Sequence, residues 1–541
     1  MHADATELIL TVRAIRALER DSAHSGLMER AGHAAADLAE SLAGTGGHIL
    51  IVAGPGANGG DAFVTARLLR ERFFAVSLVA LTTSAATATQ GADPDDTAAA
   101  RVAFVAEGGE LLESIPDDTP WALIIDGLFG IGLSRPPRER AAELISAMNA
   151  LARRHACPVL ALDCPSGLNA DTGHAQPTTV RASHTLSFIA AKPGLLTGDG
   201  PDYCGQLRVD SLGLTSGAAN PGTTAAATDS VPPREKPPSA PSAPLTPLNT
   251  AEPPPEPAAQ GHIIQRRSFA RHLRARARNS HKGSFGSAVV IGGAPGMAGA
   301  ALLAGRAALK LGAGRVYLGL LDERFGSVDP VAPELMLRPA SSLAAQTADA
   351  LLLGPGLGSG ETAQRLMGQL CGGPVPLVLD ADALNLLSTH PALAARVHSR
   401  QAATVLTPHP GEAARLLASS INAVQSDRIA AASALARRFN AHVVLKGSGS
   451  VVALADGRWF INTTGNPGMA SGGMGDVLGG ILVALLSQGW PADEAALAAV
   501  HLHGAAADRL AEAGIGPIGL TASETIDAAR HLFNRWCAGA E

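Results

Sequence analysis

The chain has 541 residues, 46% of them hydrophobic and 17% charged, a length that suits two to four domains of roughly 100–200 residues with large apolar cores. Its formal net charge is −6 and its aromatic content 3%, which sets it against a nucleic-acid partner held by a basic surface or by base stacking. The five cysteines (Cys157, Cys164, Cys204, Cys371 and Cys537) are odd in number, scattered and without a CxxC pair. They read as reduced thiols, neither a disulfide framework nor a zinc site.

The first twenty residues carry acids early and lack the basic start and long apolar core of a signal peptide. The most apolar late stretch, 477–486, is too short for a bilayer, which needs about 20 residues. A soluble, cytoplasmic protein with no membrane partner is expected.

Short apolar runs ending in Gly, Asp or Pro then follow: HILIVAGPG (48–56), WALIIDGLFG (121–130), CPVLALDCPSG (157–167) and HTLSFIAAKPG (184–194). Helical spacing separates most of them, as in Phe63, Ala66, Leu69 and Phe73. Strand alternating with helix predicts an α/β fold with a parallel, doubly wound sheet. From about Thr215 to Gly261 the composition changes, with twelve prolines between Pro221 and Pro257 and few large apolar residues. That predicts an extended linker. An arginine-rich stretch comes next (Arg266, Arg267, Arg271, Arg274, Arg276 and Arg278), read as a solvated helix. Strand–helix alternation then resumes through SAVVIGG, RVYLGL, ALLLGPGLG, LVLDADAL, TVLTPHPGE and HVVLKGSGS. Asp456-Gly457 suits a two-residue hairpin turn. The expected division is 1–214, linker 215–261, and 262–541.

In open α/β sheets ligands bind beyond the carboxyl ends of the strands. GPGANGGD (54–61) is a glycine-rich strand-to-helix turn whose N–H groups suit a phosphate, while Asn58 and Asp61 offer oxygens to a hydroxyl or a cation. Asp126 and Asp163 end two further strands, with Ser166 close behind the second. Three aspartates at one edge repel one another unless a cation or polar ligand intervenes. Oxygen ligands without Cys or His indicate a hard cation. Lys192 follows the fourth strand, either as a charge at that edge or as a surface lysine.

The ordered set LMERAG (27–32), GPGxNGGD, DxLFGxGLxRP, DxPSG and FxxxKxGL resembles the epimerase domain that acts on hydrated NADH and NADPH, over roughly residues 5–214. The resemblance implies a Rossmann-like fold and a potassium ion on Asn58, Asp126 and Ser166. It places substrate against Ala57, Asn58, Gly59, Gly60 and Asp61, against Gly130, Ile131, Gly132, Leu133, Ser134, Arg135 and Pro136, and against Asp163. Ala57 stands where that family usually has Asn, and Ala62 where it has Gly. Asp126 or Asp163, helped by Lys192, is expected to move a proton on the hydroxyl of the hydrated ring.

Near the end, NPGMASGGMGD runs into an apolar helix, placing Gly473 and Gly475 at a helix N-terminus with Asp476 in its first turn. Such N–H groups suit a phosphate and Asp476 a general base. KGSGS (446–450) lacks Walker spacing, though its lysine and serines could cradle a diphosphate. His409 and the close-approach turn GPGLG (354–358) read as further ligand contacts. With HKGSFGSAVVIGG, DADAL and TPHPGE, these motifs resemble the NAD(P)HX dehydratase domain of the ribokinase-like superfamily over 265–540. The resemblance implies a ribokinase-like α/β sandwich and ADP-dependent dehydration with magnesium. Lys446, Gly447, Ser448, Gly449, Ser450 and Gly475 would hold the nucleotide, and Ala300, Gly358, His409 and Asp476 the substrate. A homo-oligomer binding only small molecules is expected. The rivals are an ordinary small-molecule kinase and, for the first half, a non-catalytic binding module.

Overall fold

The computed structural model describes residues 7–22, 26–81, 94–116, 119–133, 135–214, 258–343 and 348–540. The expected linker lies outside them as far as residue 257, as does Ser134.

The first half builds a seven-stranded sheet, parallel throughout, in the order Leu111–Leu112, Ala75–Ala80, His48–Ala53, Trp121–Gly127, Val159–Leu162, His184–Phe188, Gln206–Asp210. Ile49, Leu50, Ile51 and Val52 are wholly buried, as both faces of such a sheet must be. Chain order reverses between His48–Ala53 and Trp121–Gly127, so GPGANGGD and DGLFG leave the sheet side by side at its switch point, where ligands bind in this class of fold.

The second sheet has eleven strands. Seven parallel ones carry SAVVIGG, RVYLGL, Met336–Pro339, ALLL, LVL, TVL and HVVL. Val451–Ala453 and Trp459–Ile461 extend it antiparallel as the expected hairpin. The turn is longer than two residues. Leu454 N donates to Arg458 O at 2.8 Å, Gly457 N donates to Leu454 O, and Gly457 takes φ +94°, a three-residue loop with a left-handed glycine.

Two further strands complete this sheet, Gln260–Ile263 beside Trp459–Ile461 and Leu8–Leu10 antiparallel to Gln260–Ile263. The residues nearest the start of the chain, expected in the first domain, thus lie in the sheet of the second, and a strand crosses the expected boundary at 261. One apolar cluster joins Cys164, Leu168, Leu195, Leu196 and Cys204 to Leu445, Val451 and Trp459.

Other expectations need correction. Phe73, read as a helix position, lies past the end of Ala57–Glu71 with φ +66° and is exposed. The arginine-rich stretch forms only a 3-10 turn, Arg266–His272. Its side chains are held individually: Arg267 by Glu7, Arg271 by Glu494, and Arg276 over the Phe285 ring at 3.6 Å. All five cysteines are unpaired, three of them buried. Among the described residues no helix is long and apolar enough to cross a membrane.

Candidate active sites

The first site forms where helix Ala57–Glu71 begins against the ends of the central strands. Close approach demands glycine here. A Cβ on Gly59 would lie 1.8 Å from Gly54 O, and one on Gly54 would lie 1.7 Å from Leu128 O. That fold brings Asn58, Asp61, Asp126, Asp163, Ser166 and Lys192 together, all buried.

Lys192 is fully buried, which decides between its two readings. Its Nζ donates to Asp163 Oδ1, to Ser187 Oγ at 2.9 Å and to Phe188 O at 2.8 Å. Asp163 sits at φ +65°, and its other oxygen accepts from Ile131 N at 3.3 Å and lies 3.0 Å from where a Gly130 Cβ would stand. Asp126 is tied differently. It accepts from Ser166 Oγ at 2.6 Å, Ser166 N at 2.8 Å and Leu128 N at 3.2 Å. Burial lifts its carboxyl to about 6 although those hydrogen bonds pull the other way. Burial, then Asp163 and Glu19, push Asp61 well above the usual carboxylate range.

The Asn58 side chain carries the clearest sign of a missing ligand. Its Oδ1 and Nδ2 are buried with no hydrogen-bond partner, and both the Asn58 side chain and Asp163 border Gly130. An unpaired buried amide costs about 1–3 kcal/mol unless something fills the place. Ala57, first in the helix, is exposed, as are Gly132, Arg135 and Pro136; Leu133 is half-buried. The Arg16 guanidinium lies 3.9 Å from where a Cβ on Gly132 would stand.

Sequence reasoning missed Glu19. It lies on helix Val12–Asp21 and is lifted to about 7 by burial, then by Asp163. A lone Glu in an amphipathic helix gives no local sign of facing Asp61 and Asp163, which come from distant parts of the chain.

The second site gathers at the carboxyl ends of the parallel strands. Lys446 Nζ pairs with Asp380 Oδ1 at 2.8 Å and stands 4.0 Å from Glu412 Oε2. Burial opposes its charge, yet Asp380, Glu412 and Asp476 together raise its pKa. Gly473, at φ +92°, caps helix Met474–Ser487 and sets Asp476 in the first turn as expected. A Cβ on Gly475 would lie 3.1 Å from Lys446 Nζ. Burial, with Asp380 adding to it, lifts Asp476 to about 7 against the pull of Lys446. Burial likewise lifts Glu412 to about 7.

His409 caps helix Pro410–Leu417, its Nδ1 accepting from Gly411 N at 3.0 Å and its Nε2 3.3 Å from Glu412 Oε1. Burial and Lys446 lower its pKa, leaving a neutral ring with Nε2 as the hydrogen-bearing atom. Gly358 N donates to Asp382 Oδ2 at 2.8 Å, and Asp382 acts in turn on Asp476. Ala300 is set behind that loop, beside Gly356. DADAL supplied Asp380 and Asp382, which sequence reasoning quoted without giving them a place in the site.

In the KGSGS loop the side chain of Lys446 turns back into the carboxylate cluster. Beyond it Gly447 and Gly449 take φ +145° and +58°. The N–H groups of Ser448 and Gly449 have no acceptor among the described residues. Adjacent free N–H groups of this kind suit a phosphate.

Two family descriptions match the chain: "YjeF-related protein N-terminus" over residues 24–194 and "NAD(P)H-hydrate dehydratase" over 288–528. The bifunctional NAD(P)H-hydrate repair enzyme Nnr of Escherichia coli K12 is 38% identical over 522 residues, covering 94% of this chain and 89% of that one. An ADP-dependent (S)-NAD(P)H-hydrate dehydratase of Neisseria meningitidis is 46% identical over 279 residues, 49% of this chain and 91% of its own. The Bacillus subtilis ADP/ATP-dependent NAD(P)H-hydrate dehydratase, co-crystallised with ATP and Mg2+, is 31% identical. It covers 51% of this chain and 98% of its own, with a TM-score of 0.46. By its match along almost the whole length of such relatives, the chain belongs to the bifunctional NAD(P)H-hydrate repair enzymes.

Proposed function

We propose that the first site interconverts the R and S hydrates of NADH and NADPH and that the second dehydrates the S form at the expense of ADP. The reading is carried by one observation: each matched half holds its own lysine–carboxylate cluster, Lys192–Asp163 with the lysine fully buried and Lys446–Asp380 with the lysine half-buried.

In the first, Asp163 suits the proton-moving role better than Asp126. One Asp163 oxygen is held by Lys192, and the other, which accepts only a long bond of 3.3 Å from Ile131 N, borders Gly130 in the expected substrate loop. Both Asp126 oxygens are engaged by Ser166 and Leu128. The C6–O bond would break as the N1 lone pair moves in and the leaving hydroxyl takes a proton from the Lys192–Asp163 pair, departing as water; water adding to the opposite face of C6 then returns that proton to the pair. Lys192 holds Asp163 in place, its ammonium bonded to one carboxylate oxygen. Asn58, Asp126 and Ser166 supply the oxygens that fit potassium, and the unpartnered Asn58 carboxamide is the donor it would satisfy. Bound there, potassium would neutralise the carboxylates around the substrate.

In the second, Asp476 would take the proton of the C6 hydroxyl as its oxygen bonds to the β-phosphorus of ADP and AMP leaves. Loss of phosphate and a ring proton then restores the dihydronicotinamide. ADP as phosphoryl donor is supported by the name of the Neisseria relative. No group of three or more His, Cys, Asp or Glu among the described residues forms a metal cage. That suits magnesium carried in on phosphates and waters with a single carboxylate, such as Glu412.

The test is a mixture of R- and S-NADHX with the full chain and ADP, followed by the absorbance of restored NADH. Complete recovery is expected. A stop with the R form remaining removes the epimerase reading, and a stable phosphorylated product in place of NADH makes the second half an ordinary kinase.

A further inference from the structure

The residue that follows the first site's helical turn reaches into the second half. Pro193–Leu196 begins directly after Lys192, and Thr197 comes next, 1% exposed. Its Oγ1 lies 3.0 Å from Ser448 O and 2.7 Å from Gly449 O, and it accepts from Arg428 Nε at 2.9 Å. Gly198 N also donates to Ser448 O at 3.3 Å. Arg428, equally buried, donates to Leu445 O and Lys446 O at 3.2 Å each. A Cβ on Gly449 would lie 1.9 Å from Leu196 O, so the two backbones meet with no side chain between them.

These bonds share a direction. Thr197, Gly198 and Arg428 take up carbonyls along the 445–449 segment, and the N–H groups that share peptide planes with the Ser448 and Gly449 carbonyls, those of Gly449 and Ser450, have no acceptor among the described residues. A loop whose carbonyls are pinned inward presents its N–H dipoles outward, the arrangement an anion requires. Unpinned, the same peptides can rotate and set a carbonyl oxygen against the phosphate.

We propose that Thr197, a residue of the epimerase half, is a positioning residue for the nucleotide loop of the dehydratase half, holding the two peptides that carry the N–H groups of Gly449 and Ser450 so that those groups face the diphosphate. This rests on the reading of 446–450 as the nucleotide loop. Thr197 touches neither the nucleotide nor the hydrated ring; it acts through the loop and through Arg428.

The experiment uses the full chain with T197V, which keeps the shape and removes the hydroxyl, and T197S, which restores it. With purified S-NADHX, T197V raises the KM for ADP roughly tenfold, the scale of one or two hydrogen bonds, while kcat and the epimerisation rate hold. T197S returns the KM to the parent value. An unchanged KM overturns the proposal. So does a fall in both activities together with a lowered melting temperature, which marks a merely structural contact. Amide hydrogen exchange over 446–450, with and without ADP, separates the two levels. Protection by ADP with an unaltered KM in T197V removes only the role of Thr197. ADP binding without protection of the loop removes the loop assignment and the proposal with it.

Discussion

The ammonium of Lys192 and the carboxylate of Asp163 form an ion pair in which the lysine has no exposure, its remaining hydrogens going to Ser187 and Phe188. Removing one partner of such a pair leaves the other charged and desolvated, at about 3–5 kcal/mol. Lys192→Met is expected to lower epimerisation by roughly 10²–10⁴-fold and to lower the melting temperature, with dehydration of purified S-NADHX retained in the folded fraction. Chiral analysis of the hydrates after incubation, beside a thermal scan, checks both effects.

Asp126 supplies a pH test. Its folded pKa, about 6, lies above the ordinary 3.8 because burial disfavours the charge. The protonated form therefore favours the fold, and in cation-free protein this contribution to stability fades as pH climbs from about 4 through 6. A bound cation reverses that trend by favouring the ionised carboxylate. The gain in melting temperature from saturating potassium should be small at pH 5 and roughly 5 °C or more at pH 8. Equal gains at both values, or none with potassium and sodium alike, would show that Asp126 ligates no cation.

The second site should show an ascending pH limb. Asp476 and Glu412 both titrate near 7, and a general base works only when deprotonated. The dehydratase kcat/KM is expected to rise through about pH 7, the apparent value belonging to the coupled carboxylates. Asp476→Asn should cost roughly 10²–10⁴-fold in kcat and leave epimerisation intact. A pH–rate profile with and without the substitution decides it.

Gly59→Ala offers a backbone test. Its Cβ would lie 1.8 Å from Gly54 O, and the Gly59 peptide cannot move without carrying Asn58, its chain neighbour, with it. Loss of epimerisation with an unaltered KM for ADP is the expected outcome, read by running both assays on one preparation.

Much of this was legible in the chain because burial on both faces writes itself as an apolar run. HILIVA, WALIIDG and the six runs of the second half all became strands. Glycine loops and the acids at strand ends were legible for the same reason, since they break those runs. What escaped was set by distance. Ala75–Ala80 and Gln206–Asp210 alternate too weakly to stand out. Leu8–Leu10 has a partner some 250 residues away that no local pattern reveals. Lys192 could be placed at the edge but not inside it, because exposure depends on how Ser187 and Phe188 fold back over its ammonium. Glu19 and Thr197 likewise have roles assigned by neighbours from elsewhere in the chain.

The strand Leu8–Leu10 hydrogen-bonds to Gln260–Ile263, far beyond the first sheet. A protease cut, or a gene split, between residues 215 and 257 would therefore not yield two independent proteins. One fragment would carry away a strand that closes the other's sheet, leaving Gln260–Ile263 with an unpaired edge and Trp459 with less cover. The two pieces should instead recognise each other, so that co-expressed halves co-purify, and a tag on one recovers the other.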